Sequence, residues 1–168
     1  MDGEFSVILH DMLNTPHMLT GVAIGVATGN PAAAFAGGLV SHYLLDAIPH
    51  TDPGTWHFNE AFPHRVSERD LTLGFADLAV AVALLIWLAG QAPIVTAASL
   101  AGLVGAVLPD VLVVASLFFP KLVTVRGLDR YFAVVARYHR TSPPKVWAAG
   151  FLTQGIIVGI AVWYLLAS

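Results

Sequence analysis

Residues 93–119 read PIVTAASLAGLVGAVLPDVLVVASLFF, with Asp110 as the single ionisable group in the stretch. As an α-helix this segment would extend roughly 40 Å, against a bilayer hydrocarbon core of about 30 Å. The rest of the chain has the same character. Of its 168 residues 57% are hydrophobic and 11% are charged, and the mean hydropathy is +0.73. Ordinary soluble domains carry about 25% charged residues. A chain so poor in charge cannot cover itself with polar surface, which predicts an all-α, polytopic integral membrane helical bundle. Eight basic residues against 11 acidic ones leave a net charge of −3. No surplus of cations exists to grip phosphate backbones, so nucleic acid is excluded as a partner. The absence of cysteine excludes disulfides, thiolate metal sites and a cysteine nucleophile.

Working outward, proline and glycine divide the chain into about five hydrophobic helices in one membrane domain, 1–168. Thr15-Pro16 opens the first, over about 16–28, with Thr15 as its cap. Gly21, Gly25 and Gly29 fall at four-residue spacing and form a face for close helix approach. Gly29-Asn30-Pro31 then starts a second helix over about 31–48, closed by Pro49. Ser67 and Asp70 resemble a capping box before a third helix, 68–89. Gly90-Gln91-Ala92-Pro93 turns into the fourth, 93–119, and a last helix covers 144–166. Between them, Leu128, Tyr131, Phe132, Val135 and Tyr138 share one stripe, with Arg126, Arg130, Arg137 and Arg140 mostly off it. That pattern predicts an amphipathic interfacial helix over about 126–140. Residues 1–13 lack the basic start of a signal peptide and read as a short lead-in.

Every basic residue lies in one of two segments: Arg65 and Arg69, then Lys121, Arg126, Arg130, Arg137, Arg140 and Lys145. One helical hairpin separates the segments, so both fall on one side, which the positive-inside rule makes cytoplasmic. The expected location is the cytoplasmic (inner) membrane, with the N-terminus cytoplasmic and the C-terminus outside.

Against this background the acids stand out. Asp46, Asp77 and Asp110 lie in apolar helices that carry no internal Lys or Arg to pair with them. Charges in a bilayer are costly and mark function. The topology puts His17, His42, Asp46, Asp77 and Asp110 at one level, near the cytoplasmic face. His42 and Asp46 are four residues apart on one helix face. Beyond Pro49, His50 and Asp52 can fold back over the same place. Mixed imidazole and carboxylate ligation suits a divalent metal: Zn²⁺ foremost, or Mn²⁺ or Fe²⁺. The candidate ligands are His17, His42, Asp46, His50, Asp52, Asp77 and Asp110. Seven exceed the needs of one ion, so one metal or two remain open. Asp46, Asp77 and Asp110 are the candidate catalytic groups. Pro109 frees the Gly105 carbonyl and is expected to kink the helix so that Asp110 turns inward. Gln154, His57 and His64 are weaker candidates, and His10 and His139 read as surface residues.

The Thr15-Pro16-His17 start with its glycine-rich helix, Ser41-His42 through Leu45-Asp46, and Leu108-Pro109-Asp110 together resemble the YdjM-like, membrane-bound metal-dependent hydrolases of bacteria. The resemblance covers most of the chain as a pattern of helices, and its motifs cover only short stretches. It implies a bound metal and hydrolytic activity. The family's His-Arg-Gly-x-Thr-His-Ser segment is absent, His64-Arg65 being its nearest trace, and the two Asp motifs occur in reversed order. The run Ser41-His42-Tyr43-Leu44-Leu45-Asp46-Ala47-Ile48-Pro49-His50 also resembles a signature of small membrane proteins without assigned activity.

Three functions fit these residues. A metal-dependent hydrolase would activate water against a lipid or other amphiphilic ester or phosphoester, with membrane lipids as its partners. A carrier of divalent cations or protons would also need intramembrane carboxylates. A scaffold would hold the metal for structure alone.

Overall fold

The computed structural model describes residues 13–51, 68–131, 134 and 147–168. All elements among them are helical: α1 (Asn14–Thr28), α2 (Pro31–Asp46), α3 (Glu68–Ala89), α4 (Ala97–Phe118), a 3-10 turn (Pro120–Thr124) and α5 (Trp147–Ala167). Three helices are long and apolar enough to cross a membrane, over Thr72–Ala89, Ala97–Ser116 and Ala148–Ala167. The other two are shorter. α1 has 15 residues and α2 has 16, so each extends only about 23 Å.

The helix boundaries follow local chemistry. The Asn30 side chain accepts from the backbone N–H groups of Ala32 and Ala33 at 2.9 and 3.1 Å, and Pro31 sits at the first helical position. Gly29 does not lie on the packing face of α1. It ends the helix in the left-handed conformation at φ 60°, which glycine adopts without a Cβ penalty. Two further boundaries differ from the sequence pattern. α4 starts at Ala97 rather than at 93, because the Thr96 side chain accepts from the Ser99 N–H at 3.0 Å and fixes the start there. α1 starts at Asn14, and Thr15 is not its cap. Its hydroxyl is engaged by a different helix, as described below. The expected lead-in, the Ser67 cap and most of the expected interfacial helix lie outside the described residues. Within 126–140, residues 128–131 are helical, and Lys121, Arg126 and Arg130 are exposed.

α1, α2 and α4 pack backbone against backbone. A Cβ on Gly21 would strike the Gly102 carbonyl and Ala106, and one on Gly25 would strike Ser99. Gly38 meets Gly102, and Gly105 meets the Phe35 carbonyl. Small residues at these crossings let α4 seat in the angle between α1 and α2. Gly21–Gly102 and Gly25–Ser99 run in opposite order along α1 and α4, whereas Gly38–Gly102 and His42–Ala106 run in the same order along α2 and α4. α1 and α2 therefore form an antiparallel hairpin, and the start of α1, the end of α2 and the second half of α4 meet at one end. At the other end Leu19, Val22, Leu88, Ile94, Ala161 and Leu165 form an apolar core. α3 packs on α1 and touches α5, leaving large apolar side chains such as Phe75, Ile86 and Trp87 exposed. Exposed residues of this kind fit a lipid environment.

Candidate metal centre

The end where α1, α2 and α4 meet holds the polar cluster. His17 comes from α1, His42 and Asp46 from α2 and Asp110 from α4, and all four are buried at 6% exposure or less. The two imidazole rings stack, with centroids 4.2 Å apart and planes inclined by 26°. Asp46 spans both rings: Oδ1 lies 3.3 Å from His17 Nε2, and Oδ2 lies 3.1 Å from His42 Nε2. Asp110 Oδ1 approaches His42 Nε2 at 3.5 Å.

The backbone fixes the orientation of His42. Its Nδ1 lies 2.8 Å from the Ala106 carbonyl oxygen. A carbonyl only accepts, so Nδ1 carries the proton and Nε2 is turned onto the two carboxylates. Imidazoles that ligate metals are generally held this way, donating the far N–H to a carbonyl or carboxylate. Pro109 contributes from the same turn. It has no N–H for the Gly105 carbonyl, and Ala106, the next residue, presents its carbonyl to His42.

The donor set fits a metal in kind and in spacing. His17, His42 and Asp110 each offer one ligand atom, all within 4.8 Å of one another. Ligands bound at about 2.0–2.1 Å in a tetrahedral site stand about 3.3 Å apart. Within that trio His42 Nε2 and Asp110 Oδ1 stand 3.5 Å apart, and Asp46 approaches the two imidazoles at 3.1 and 3.3 Å through different oxygens.

The remaining candidates fall elsewhere. Asp77 is not in the cluster. Its carboxylate accepts from the Thr15 hydroxyl at 2.6 Å and from the Thr15 N–H at 3.2 Å. The level expected from the sequence did not bring it to the cluster, because α3 packs on α1 rather than on α2 or α4 among the described residues. His50 is fully buried in the loop that follows α2. It is outside the ligand trio, and its Nδ1–H donates to the Ile48 carbonyl at 2.8 Å. The loop at 47–51 is fastened to α5. Gln154 Nε2 donates to the Thr51 carbonyl at 2.8 Å, and Gly150 packs directly on Thr51. Gln154 thus serves the loop rather than the ligands. Asp52, His10, His57, His64 and His139 lie outside the described residues. Two contacts have no clear sequence signal. The Tyr43 ring meets His42 edge-on, and its hydroxyl donates to that of Tyr131 at 3.3 Å, joining α2 to the cationic segment after α4.

No protein-family model, curated protein or solved structure matches the chain.

Proposed function

We propose that the protein is a membrane-embedded, metal-dependent hydrolase acting at the cytoplasmic leaflet on a lipid or other amphiphilic ester or phosphoester. One observation carries the reading. Two stacked imidazoles and two carboxylates are buried together, and the backbone aims one imidazole nitrogen at both acids. His17, His42, Asp46 and Asp110 would hold a divalent ion, with Zn²⁺ favoured by the ligand types. Such an ion supplies Lewis acidity and an activated water. Whichever of Asp46 and Asp110 is not bound to the ion would act as the base that receives a proton, and the apolar walls of α1 and α4 would hold bulk solvent away. The five-helix arrangement with a cytoplasmic N-terminus is part of this proposal. It places Lys121, Arg126 and Arg130 at the same membrane surface as the cluster, where they attract anionic headgroups. The apolar core at the opposite end argues against a carrier, which needs polar groups along a continuous path.

The test begins with metal content. Purified protein is expected to contain a divalent metal, and Asp46→Ala and Asp110→Ala are expected to lose it. A metal-free wild type with the same helical content would leave imidazole–carboxylate contacts alone as the account of the cluster. Lipid analysis of cells with and without the protein then separates enzyme from scaffold. An unchanged lipid profile, with metal still bound, favours the scaffold.

A further inference from the structure

α1 lacks a cap of its own. Leu13 occupies the N-cap position, and no side chain among the described residues caps the helix from there. A helix start leaves about four N–H groups without intrahelical partners. Asp77 of α3, 62 residues away, supplies the missing acceptor. It takes the Thr15 N–H on one carboxylate oxygen and the Thr15 hydroxyl on the other. The Thr15 hydroxyl also lies 3.1 Å from the Asp77 carbonyl oxygen. A carboxylate at a helix N-terminus is favoured by the helix dipole as well.

His17 follows Thr15 by two positions. At about 100° per residue the two side chains leave α1 on nearly opposite sides. Thr15 reaches α3 while His17 reaches α2 and α4. The two histidines of the cluster are held differently. His42 is oriented by the Ala106 carbonyl. His17 Nδ1 has no hydrogen-bond partner among the described residues. The ring of His17 is therefore placed by the stack on His42, by Asp46 and by the backbone from which it springs. That backbone is the first turn of α1, and Asp77 holds it.

We infer that Asp77 is a positioning residue, which caps α1 from α3 through Thr15 and thereby sets His17 in the ligand sphere. The inference rests on the metal reading of the cluster.

Co²⁺ alone is the probe, titrated into wild type and variants in detergent while its ligand-field absorption is followed. Helical content and elution volume are measured on each sample. Wild type is expected to bind Co²⁺. Thr15→Val and Asp77→Ala are expected to bind it about 10- to 100-fold more weakly, the usual effect of losing an outer partner of a ligand. Their absorption band should change in the same direction as that of His17→Ala. Thr15→Ser keeps the hydroxyl and should match wild type, and Asp77→Asn keeps one acceptor and should fall between. Wild-type affinity and absorption in Thr15→Val would overturn the inference while leaving the metal site standing. A change in Asp77→Ala without one in Thr15→Val would show that the Thr15 hydroxyl does not carry the effect, and would overturn the inference as well. Failure of wild type to bind Co²⁺ would remove the metal reading and the inference together.

Discussion

Single atoms decide much of this site. The Ala106 carbonyl selects the tautomer of His42, and the Thr51 carbonyl selects the orientation of Gln154. Because Thr51 offers only an acceptor, the Gln154 amide must present its nitrogen. Both groups are almost completely buried. Gln154→Leu removes the hydrogen bond to the Thr51 carbonyl, and losing one such bond costs about 0.5–1.5 kcal/mol. Thermal unfolding in detergent should show a loss of that size. Metal content should fall little, since Gln154 binds the loop and not the ligands. The cluster residues themselves were readable from the chain. Acids in apolar helices, with no basic partner before Arg65 or between Arg69 and Lys121, had to meet histidines or water. The level expected along the bundle is shared by His17, His42, Asp46 and Asp110, and these four do lie together. The same level misplaced Asp77, because it fixes a height along the bundle but not the side of a helix.

Among the elements, α4 organises the others. Gly102 sits where Gly21 of α1 and Gly38 of α2 both arrive, so three backbones meet at one residue. A Cβ added at Gly102 would strike the Gly21 carbonyl, so a side chain there forces α1 outward. Overpacking of this kind costs about 1–3 kcal/mol. Gly102→Val is expected to lower the unfolding midpoint and to release metal, since the ligands ride on the three separated helices. Calorimetry and metal analysis of the same preparation check both. A drop in stability with full metal content would mean that the cluster tolerates the displacement. The helices were legible as apolar runs, and Asn30-Pro31 marked a boundary accurately. The starts of α1 and α4 were not. In sequence Thr15 reads as a cap and the fourth helix as starting at Pro93, yet of the two threonines Thr96 is the one whose side chain accepts a local N–H. Thr15 is claimed by Asp77, and no local pattern encodes a partner 62 residues away.

At the scale of the molecule, one end is polar and the other is not. The polar end gathers the metal-ligand candidates and the loop at 47–51, and Tyr43 and Tyr131 tie α2 to the cationic segment beyond α4. The proposed orientation puts this end in the cytoplasm. The native chain has no cysteine, so a single introduced thiol reports its side without background. In intact cells, Ser168→Cys is expected to react with a membrane-impermeant maleimide, and Arg126→Cys only after the membrane is opened. The reverse pattern would invert the topology and place the cluster outside.

Three helices build the cluster, and they are not made together. His42 and Ala106 are separated by 64 positions in the chain. At ribosomal speeds of about 5–20 residues per second, that separation is roughly 3–13 seconds of synthesis. During that interval the hairpin of α1 and α2 exists without α4. Its glycine faces are uncovered, and His42 has neither the Ala106 carbonyl nor Asp110 beside it. A polar group left unpaired in an apolar interior is costly, so the end of the hairpin needs water or another partner until α4 arrives. The length of the chain between α2 and α4 therefore acts as a clock on the assembly of the site.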